Sequence, residues 1–300
     1  MIKSNAQHKG ALPSYDAPPG GQLSPAMLSA YAETGVIVLK NFVTLAACRT
    51  LQQRVAELVR EFDPGKVRSV FSTTSQTQLT DRYFIESGDK IRFFLEANAY
   101  DESGKLRQSK ENSLNKMGHA MHDIDPVFDQ FSHSPDLDHA ARALGIVDPV
   151  IIQSMYLFKP PRIGAEVVCH QDSTYIYTEP ESCIGFWFAL EDATIDNGCV
   201  YFIPGGHRGP LRQRNHRLDD GTSRTDVLSD EPFAEDRKLA AEVKAGSLVI
   251  FDGRAPHMSG ENRSNKSRHA YSLHVIDRRC HYPSDNWLQR GPQLPLRGFV

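Results

Sequence analysis

From residue 149 onward, apolar residues come in short runs separated by glycine, proline and aspartate. The runs "PVIIQSMYLFK", "EVVCHQDSTYIY", "CIGFWFALED", "CVYFIPG", "SLVIFDG" and "HAYSLHVID" each predict a β-strand. Turn signals lie between them: "DNG" at 196–198, "PGG" at 204–206, "DDG" at 219–221 and "DG" at 252–253. Helical patterns do not alternate with these strands, so a sandwich or jelly roll is predicted rather than a parallel sheet. The first half has a different texture. "SPAMLSAYAETG" predicts a short helix, with Ser24 as N-cap, Pro25 at the first helical position and Gly35 past its end. "VIVLKNF" predicts a strand, and "TLAACRTLQQRVAELVREF" an amphipathic helix that starts near Thr44 and ends before Pro64. "SLNKMGHAMHDIDPVFDQFS" and "PDLDHAARALG" predict two further helices.

The less patterned stretches set the domain organisation. Residues 1–22 are polar and rich in Pro and Gly, which predicts a flexible N-terminal arm. Residues 23–300 predict a single domain, because no later linker divides them. Within it, residues 65–115 form a long polar excursion, interrupted by "GDKIRFFLEANAY", of the kind used as a lid or entrance. Residues 208–240 are a polar insertion between two strands. The fold class expected is mainly β with flanking helices.

Composition narrows the function classes. The formal charge is -3 over 300 residues, which predicts no partner among nucleic acids and no attraction to anionic membrane. No apolar run approaches the roughly 20 residues that span a bilayer. The N-terminus carries no apolar signal core, and "RGFV" at the end is not a peroxisomal tripeptide. Cys48, Cys169, Cys183, Cys199 and Cys280 are odd in number and form no C-x-x-C, so neither a disulfide framework nor a zinc ribbon is expected. A reducing, cytoplasmic setting follows as an expectation. Cys169 is expected to be a small buried residue. Nothing in the composition fixes an oligomeric state.

Chemistry enters with His170 and Asp172. In a strand, residues i and i+2 share a face, so this pair offers one nitrogen and one oxygen to a common point. H-x-D alone also fits an ordinary exposed pair near a strand end. The signal strengthens with "SLVIFDGRAPHMSGENRSNKSRHAYSLHVID", where a buried strand leads through a turn to His257 and the next strand begins just after Arg268. Two histidines and one carboxylate form the facial triad of non-haem Fe(II) oxygenases. Arg268 is suited to clamp the distal carboxylate of 2-oxoglutarate, because guanidinium stays charged and pairs bidentately. Arg254, in the turn before His257, and Arg263, in a Gly/Asn/Ser-rich loop, are the neighbouring alternatives.

Taken together, "SGDKIRFFLE", "LNKMGHAMHDIDPVF", "QSMYLFKP", "HQDSTYIYTEP", "EDATIDNGC", "FIPGGH" and the spacing of His257 to Arg268 resemble the phytanoyl-CoA dioxygenase family of Fe(II)/2-oxoglutarate oxygenases. Within it they are most similar to the phytanoyl-CoA dioxygenase domain-containing proteins, over residues 24 to 295. The resemblance implies a double-stranded β-helix (jelly roll, cupin-like). It implies that His170, Asp172 and His257 ligate Fe(II) at the catalytic centre. It implies that Arg268, with Ser259 nearby, binds 2-oxoglutarate, and that Lys116, Met155 and Trp187 line the co-substrate pocket. The chain departs from many relatives at "IPGGH", where they carry Ser before the His; that touches a turn and not the ligands.

The implied reaction uses O2 and 2-oxoglutarate to oxidise an unactivated C–H bond of a small-molecule substrate, most simply by hydroxylation, releasing succinate and CO2. A zinc-dependent cupin-type isomerase or hydrolase and a non-catalytic binding protein are the alternatives; Arg268 and the intact triad argue against them. Met155 and Trp187 also fit plain core positions, and Lys116 fits a solvated helix residue. His207 is expected to orient a loop and Gln171 to face away from the metal. His119, His122, His269 and His274 are expected to be structural, with no acidic partner suited to a second site. Lys66, Arg68, Lys90 and Arg92 either meet an anionic substrate or form a solvated loop face.

Overall fold

The structure, a computed structural model, describes residues 10–299. Its frame is a nine-stranded sheet whose strands lie in the order Ser14–Asp16, Val36–Lys40, Leu248–Asp252, Ile184–Ala189, Ala270–Asp277, Pro149–Leu157, Leu114–His119, Ile91–Glu96 and Val70–Phe71. A four-stranded sheet follows the order Leu239–Ala240, Val200–Phe202, His257–Ser259 and Val167–His170. The large and small sheets make the double-stranded β-helix, and the site lies between them. The central strands are antiparallel neighbours, so successive residues point to opposite sides.

That alternation builds two cores. Ile37, Leu39, Phe186, Phe188, Tyr271 and Leu273 pack toward the helices. Val36, Val38, Trp187, Val249, Phe251 and Ala270 pack on the other face, against Val200 and Phe202 of the small sheet. Both faces are covered, which is why "VIVL" and "IGFWFA" read as unbroken apolar runs. The helix Leu45–Glu61 closes the first core with Cys48, Leu51, Val55 and Val59, spaced three and four apart on one face. Its N-cap is Thr44, whose hydroxyl accepts from the Ala47 amide. The helix Pro25–Thr34 begins at Ser24 and ends at Gly35, whose φ of 75° is the left-handed cap that glycine adopts without strain.

Three expectations are corrected. Residues 113–132 do not form one helix. Leu114–His119 is a strand between Ile91–Glu96 and Pro149–Leu157, and only then do helices Met121–Ile124 and Pro126–Ser132 follow. Pairing on both edges outweighs the local helical pattern, which Gly118 already weakens. Asp125 starts the later helix by accepting from the Val127 and Phe128 amides. The run 166–177 is a strand only over Val167–His170, and Asp172–Thr174 is a single 3-10 turn. The expected N-terminal arm is also docked in part: Ser14–Asp16 pair in parallel with Val38–Lys40. Residues 1–9 of that arm lie outside the described residues. Finally, the insertion 208–240 carries structure of its own, an antiparallel hairpin of Gln213–Arg217 with Ser223–Val227.

Candidate metal and co-substrate site

Val167–His170 and His257–Ser259 are antiparallel neighbours, with His170 opposite His257 and the ring centroids 4.2 Å apart. The chain leaves the sheet immediately after His170, and the 3-10 turn brings Asp172 back beside both rings. Asp172 Oδ1 is 3.5 Å from His170 Nε2 and 3.7 Å from His257 Nε2. The two residues therefore converge through a strand end and a turn, not through one continuous strand face. Gln171 holds that turn. Its side chain is buried and faces away from the triad, donating to the Pro210 and Arg254 carbonyls and accepting from the Arg212 amide.

The two imidazoles are oriented by their other nitrogens. His170 Nδ1 is 2.9 Å from the Val168 carbonyl, and His257 Nδ1 is 3.0 Å from the Ala255 carbonyl. A carbonyl only accepts, so each Nδ1 carries the hydrogen and each Nε2 presents its lone pair. Such outer partners fix ring orientation and raise ligand basicity. Donors about 2.0–2.2 Å from a first-row divalent ion stand roughly 3 Å apart when at right angles, so small side-chain rotations bring these three atoms onto one ion. Two nitrogens and one oxygen, with no thiolate among them, fit Fe(II) in a facial triad.

The electrostatics suit a cation. Burial alone would raise the Asp172 carboxyl, but His274 and His257 beside it outweigh burial and hold the group well below the usual carboxylate range. Burial, helped by His170, lowers His257 to about 4. The ring thus stays neutral and ready to ligate at neutral pH. An unfolded histidine protonates near 6.5, so the stability His257 contributes is lost as pH falls from that value toward 4.

His274, expected to be structural, was missed as a functional residue: its acidic partner belongs to the triad itself and not to a second site. Its Nε2 lies 2.7 Å from Asp172 Oδ2, which ties down one carboxylate oxygen and leaves Oδ1 for the metal. His274 follows Ser272 by two on the strand Ala270–Asp277, so both face the cavity. A lone histidine inside "HAYSLHVID" was the available signal. The other histidines have different roles. His122 lies 3.1 Å from Asp123, His119 accepts or donates at Ser87, and His269 Nδ1 meets the Tyr156 hydroxyl.

The same cavity reaches Arg268, which is 3% exposed. Its amide donates to the Lys159 carbonyl and its Nε donates to the Gly198 carbonyl, 3.2 Å away. Its Nη1 is buried without a partner among the described residues. A buried, unpaired guanidinium is costly unless an anion completes it, so this group fits the distal carboxylate of 2-oxoglutarate. Arg254 is committed to Glu181 and the Gly209 carbonyl, and Arg263 sits exposed beside Glu261. Gly198 has to be glycine here. Its φ is +79°, and a Cβ would stand 2.6 Å from Lys159 Cε.

Ser259, Lys116, Met155 and Trp187 all line this cavity. Ser259 Oγ is 2.9 Å from Lys159 Nζ. Ser272 places Met155 and Trp187 on either side of it, through the register of the three central strands. Lys116 is a buried strand residue rather than a solvated helix residue. Its Nζ stands 3.2 Å from the Phe71 ring centroid and 4.0 Å from Met155 Sδ, and burial lowers it to about 7. Lys159, Glu96 and Gln153 also line the cavity and were not found from sequence. By contrast, Lys66, Arg68, Lys90 and Arg92 do not line it: Arg68 and Arg92 stack on Tyr100 and Tyr83, and Lys90 pairs with Asp89. Cys169 is half-buried, and burial pushes its thiol to about 12.

The family model described as phytanoyl-CoA dioxygenase (PhyH) matches residues 31–270. A protein of Arabidopsis thaliana named phytanoyl-CoA dioxygenase is 44% identical over 274 residues, covering 90% of this chain and 95% of its own. Phytanoyl-CoA dioxygenase domain-containing protein 1 of Mus musculus is 42% identical over 283 residues, covering 91% and 97%. The solved structure of the non-heme alpha ketoglutarate dependent carbocyclase SnoK from nogalamycin biosynthesis has a TM-score of 0.63 at 16% identity. It covers 94% of this chain and 99% of its own. At that identity the likeness speaks to the fold alone.

Proposed function

Because this chain belongs to the phytanoyl-CoA dioxygenase family of non-haem iron, 2-oxoglutarate-dependent oxygenases, we propose that it hydroxylates an unactivated C–H bond of a small molecule. The observation that carries this reading is the meeting of two features in one cavity: the donors of His170, Asp172 and His257, and the buried, unpaired Arg268. Iron, when bound, supplies the redox chemistry that couples dioxygen to 2-oxoglutarate, giving succinate and CO2. The chain does the rest. His170 and His257 present neutral Nε2 donors and Asp172 adds the one negative charge. Arg268 and Ser259 hold the co-substrate's far carboxylate. Trp187, Val200 and Phe202 keep that end of the cavity apolar, which strengthens each charge interaction within it.

In this reading the two poorly patterned segments form the entrance. Phe71, Thr73, Gln78, Leu79 and Phe84 from residues 65–115 line the cavity, as do Asn215 and Ser223 from residues 208–240. A cytoplasmic setting is part of the proposal and is supported by the five free thiols. Limited proteolysis is expected to cut first within 65–115, and to slow once metal, 2-oxoglutarate and a true substrate are present. Identical cutting in every liganded state removes the lid.

The functional reading is tested by metal exchange. Chelator abolishes succinate release and Fe(II) restores it, while Co(II), Ni(II) and Zn(II) occupy the same ligands without turnover. Full activity with zinc and no iron overturns the oxygenase and favours an isomerase or hydrolase. A metabolite screen for stimulated succinate release then identifies the substrate.

A further inference from the structure

Two buried basic side chains meet at the far end of the cavity. Lys159 is 5% exposed and Arg268 3%, and both face the space that also receives Ser259. The buried acid nearby is Glu96, 0% exposed, whose Oε2 accepts from the Ala165 amide and whose carboxyl also has Asn115 beside it. Among the described residues, none of these three is in an ion pair within 4.0 Å. Burial pulls Lys159 down and Glu96 up, both toward neutrality, so the lasting positive charge there is that of Arg268, which one incoming carboxylate neutralises. The far carboxylate of 2-oxoglutarate is such a group, on the functional reading above.

The Lys159 side chain is aimed with some care. Its φ is +40°, uncommon for a residue with a Cβ and a sign of backbone held by its surroundings. Its carbonyl is gripped by the Arg268 amide and by Asn262 Nδ2, so the two basic residues share one backbone joint. Gly198 leaves room for the lysine stem and gives its carbonyl to Arg268. Lys159 Nζ ends at the Ala165 carbonyl and, 2.9 Å away, at Ser259 Oγ. An incoming carboxylate favours the charged ammonium, which has no acceptor site, so with that group bound Ser259 accepts from Lys159. Its single O–H is then left to donate elsewhere, and among the described residues no acceptor takes it.

We propose that Lys159 is a positioning residue for 2-oxoglutarate: by donating to the Ser259 hydroxyl, it aims that hydroxyl's one proton at the carboxylate held by Arg268. A lysine serving only as the counter-charge of Glu96 would have no such dependence on Ser259 or on the ligand's far end.

The test is anaerobic calorimetric titration of the Co(II)-loaded protein with 2-oxoglutarate and with 2-oxobutyrate, which keeps the keto acid but lacks the distal carboxylate. Lys159→Met is expected to weaken 2-oxoglutarate by about ten- to a hundredfold, the scale of one charged hydrogen bond. Binding of 2-oxobutyrate should change by less than about threefold, as for an interaction it does not make. In a Ser259→Ala background, Lys159→Met should cost less than in the wild type, because the hydroxyl it orients is gone. Equal weakening of both keto acids, no weakening of either, or an undiminished loss in the Ser259→Ala background overturns the proposal. If Lys159→Met does not fold, Lys159→Gln takes its place: it should weaken 2-oxoglutarate and spare 2-oxobutyrate, and a neutral result or equal weakening of both overturns the assignment. The two readings fail separately. Metal-loaded wild type that binds neither keto acid sinks the functional reading and this assignment with it. An Arg268→Ala variant that selectively loses 2-oxoglutarate while Lys159→Met does not sinks the Lys159 assignment alone.

Discussion

Asp172→Ala yields a folded protein that binds Fe(II) more than about a hundredfold more weakly and releases no measurable succinate. Asp172 supplies the only anionic donor of the triad, and its Oδ1 lies 3.5 and 3.7 Å from the two histidine Nε2 atoms. Two neutral imidazoles remain, which hold a divalent ion poorly. The fold is expected to survive because both ligand histidines keep their carbonyl partners at 2.9 and 3.0 Å. The expense falls on His274, whose Nε2 loses its partner at 2.7 Å; a buried donor left unpaired costs about 1–3 kcal/mol. His274→Leu should show the graded counterpart. It leaves all three ligands in place but frees the Asp172 carboxylate, and outer partners of this kind are worth about 10–100-fold in affinity or activity. Thermal melting of the metal-free variants, with iron titration and succinate assay, checks both. An Asp172→Ala variant with near-normal iron affinity would show that the ion sits elsewhere.

Arg268→Ala raises the KM for 2-oxoglutarate roughly tenfold to several hundredfold while iron binding survives. A charge-assisted hydrogen bond is worth about 1.5–3 kcal/mol, and each 1.4 kcal/mol is about a factor of ten. Arg268 meets the geometric condition for that full value. It is buried, its amide is bonded to the Lys159 carbonyl and its Nε to the Gly198 carbonyl, so the guanidinium is held in place. Arg263 is exposed, with Glu261 3.5 Å away. Arg263→Ala should change the KM by less than about threefold, as expected for a surface charge. Steady-state kinetics on the two variants separates them, and the reverse pattern would remove Arg268 from the co-substrate site.

The parts of this site legible in the sequence were those whose residue type announces the chemistry. His170 and Asp172 stood out against a strand, His257 followed a buried apolar run, and Arg268 stood at the start of the next one. The β-rich half was legible because "IGFWFA" and "HAYSLHVID" are buried on both faces. Leu114–His119 was not, since its strand state comes from pairing with residues 19 and more positions away. The turn after His170 escaped for a related reason: Gln171 is clamped by Pro210, Arg212 and Arg254, none of them a sequence neighbour. His274, Lys159 and Glu96 each look like an ordinary polar residue until the sheets bring them to one cavity. Periodicity locates a face, but only the assembled sheets say what that face meets.

On this reading His170, Asp172 and His257 would hold Fe(II), and 2-oxoglutarate would reach from that ion to Arg268 in the same cavity. Anaerobic visible spectroscopy tests it most directly. Fe(II) is added to metal-free protein, then 2-oxoglutarate is titrated in. The account predicts a visible charge-transfer band from an iron–keto acid chelate, saturating at one 2-oxoglutarate per iron, absent without iron and absent in Asp172→Ala. No band at saturating Fe(II) and 2-oxoglutarate, or an equal band in Asp172→Ala, would contradict it.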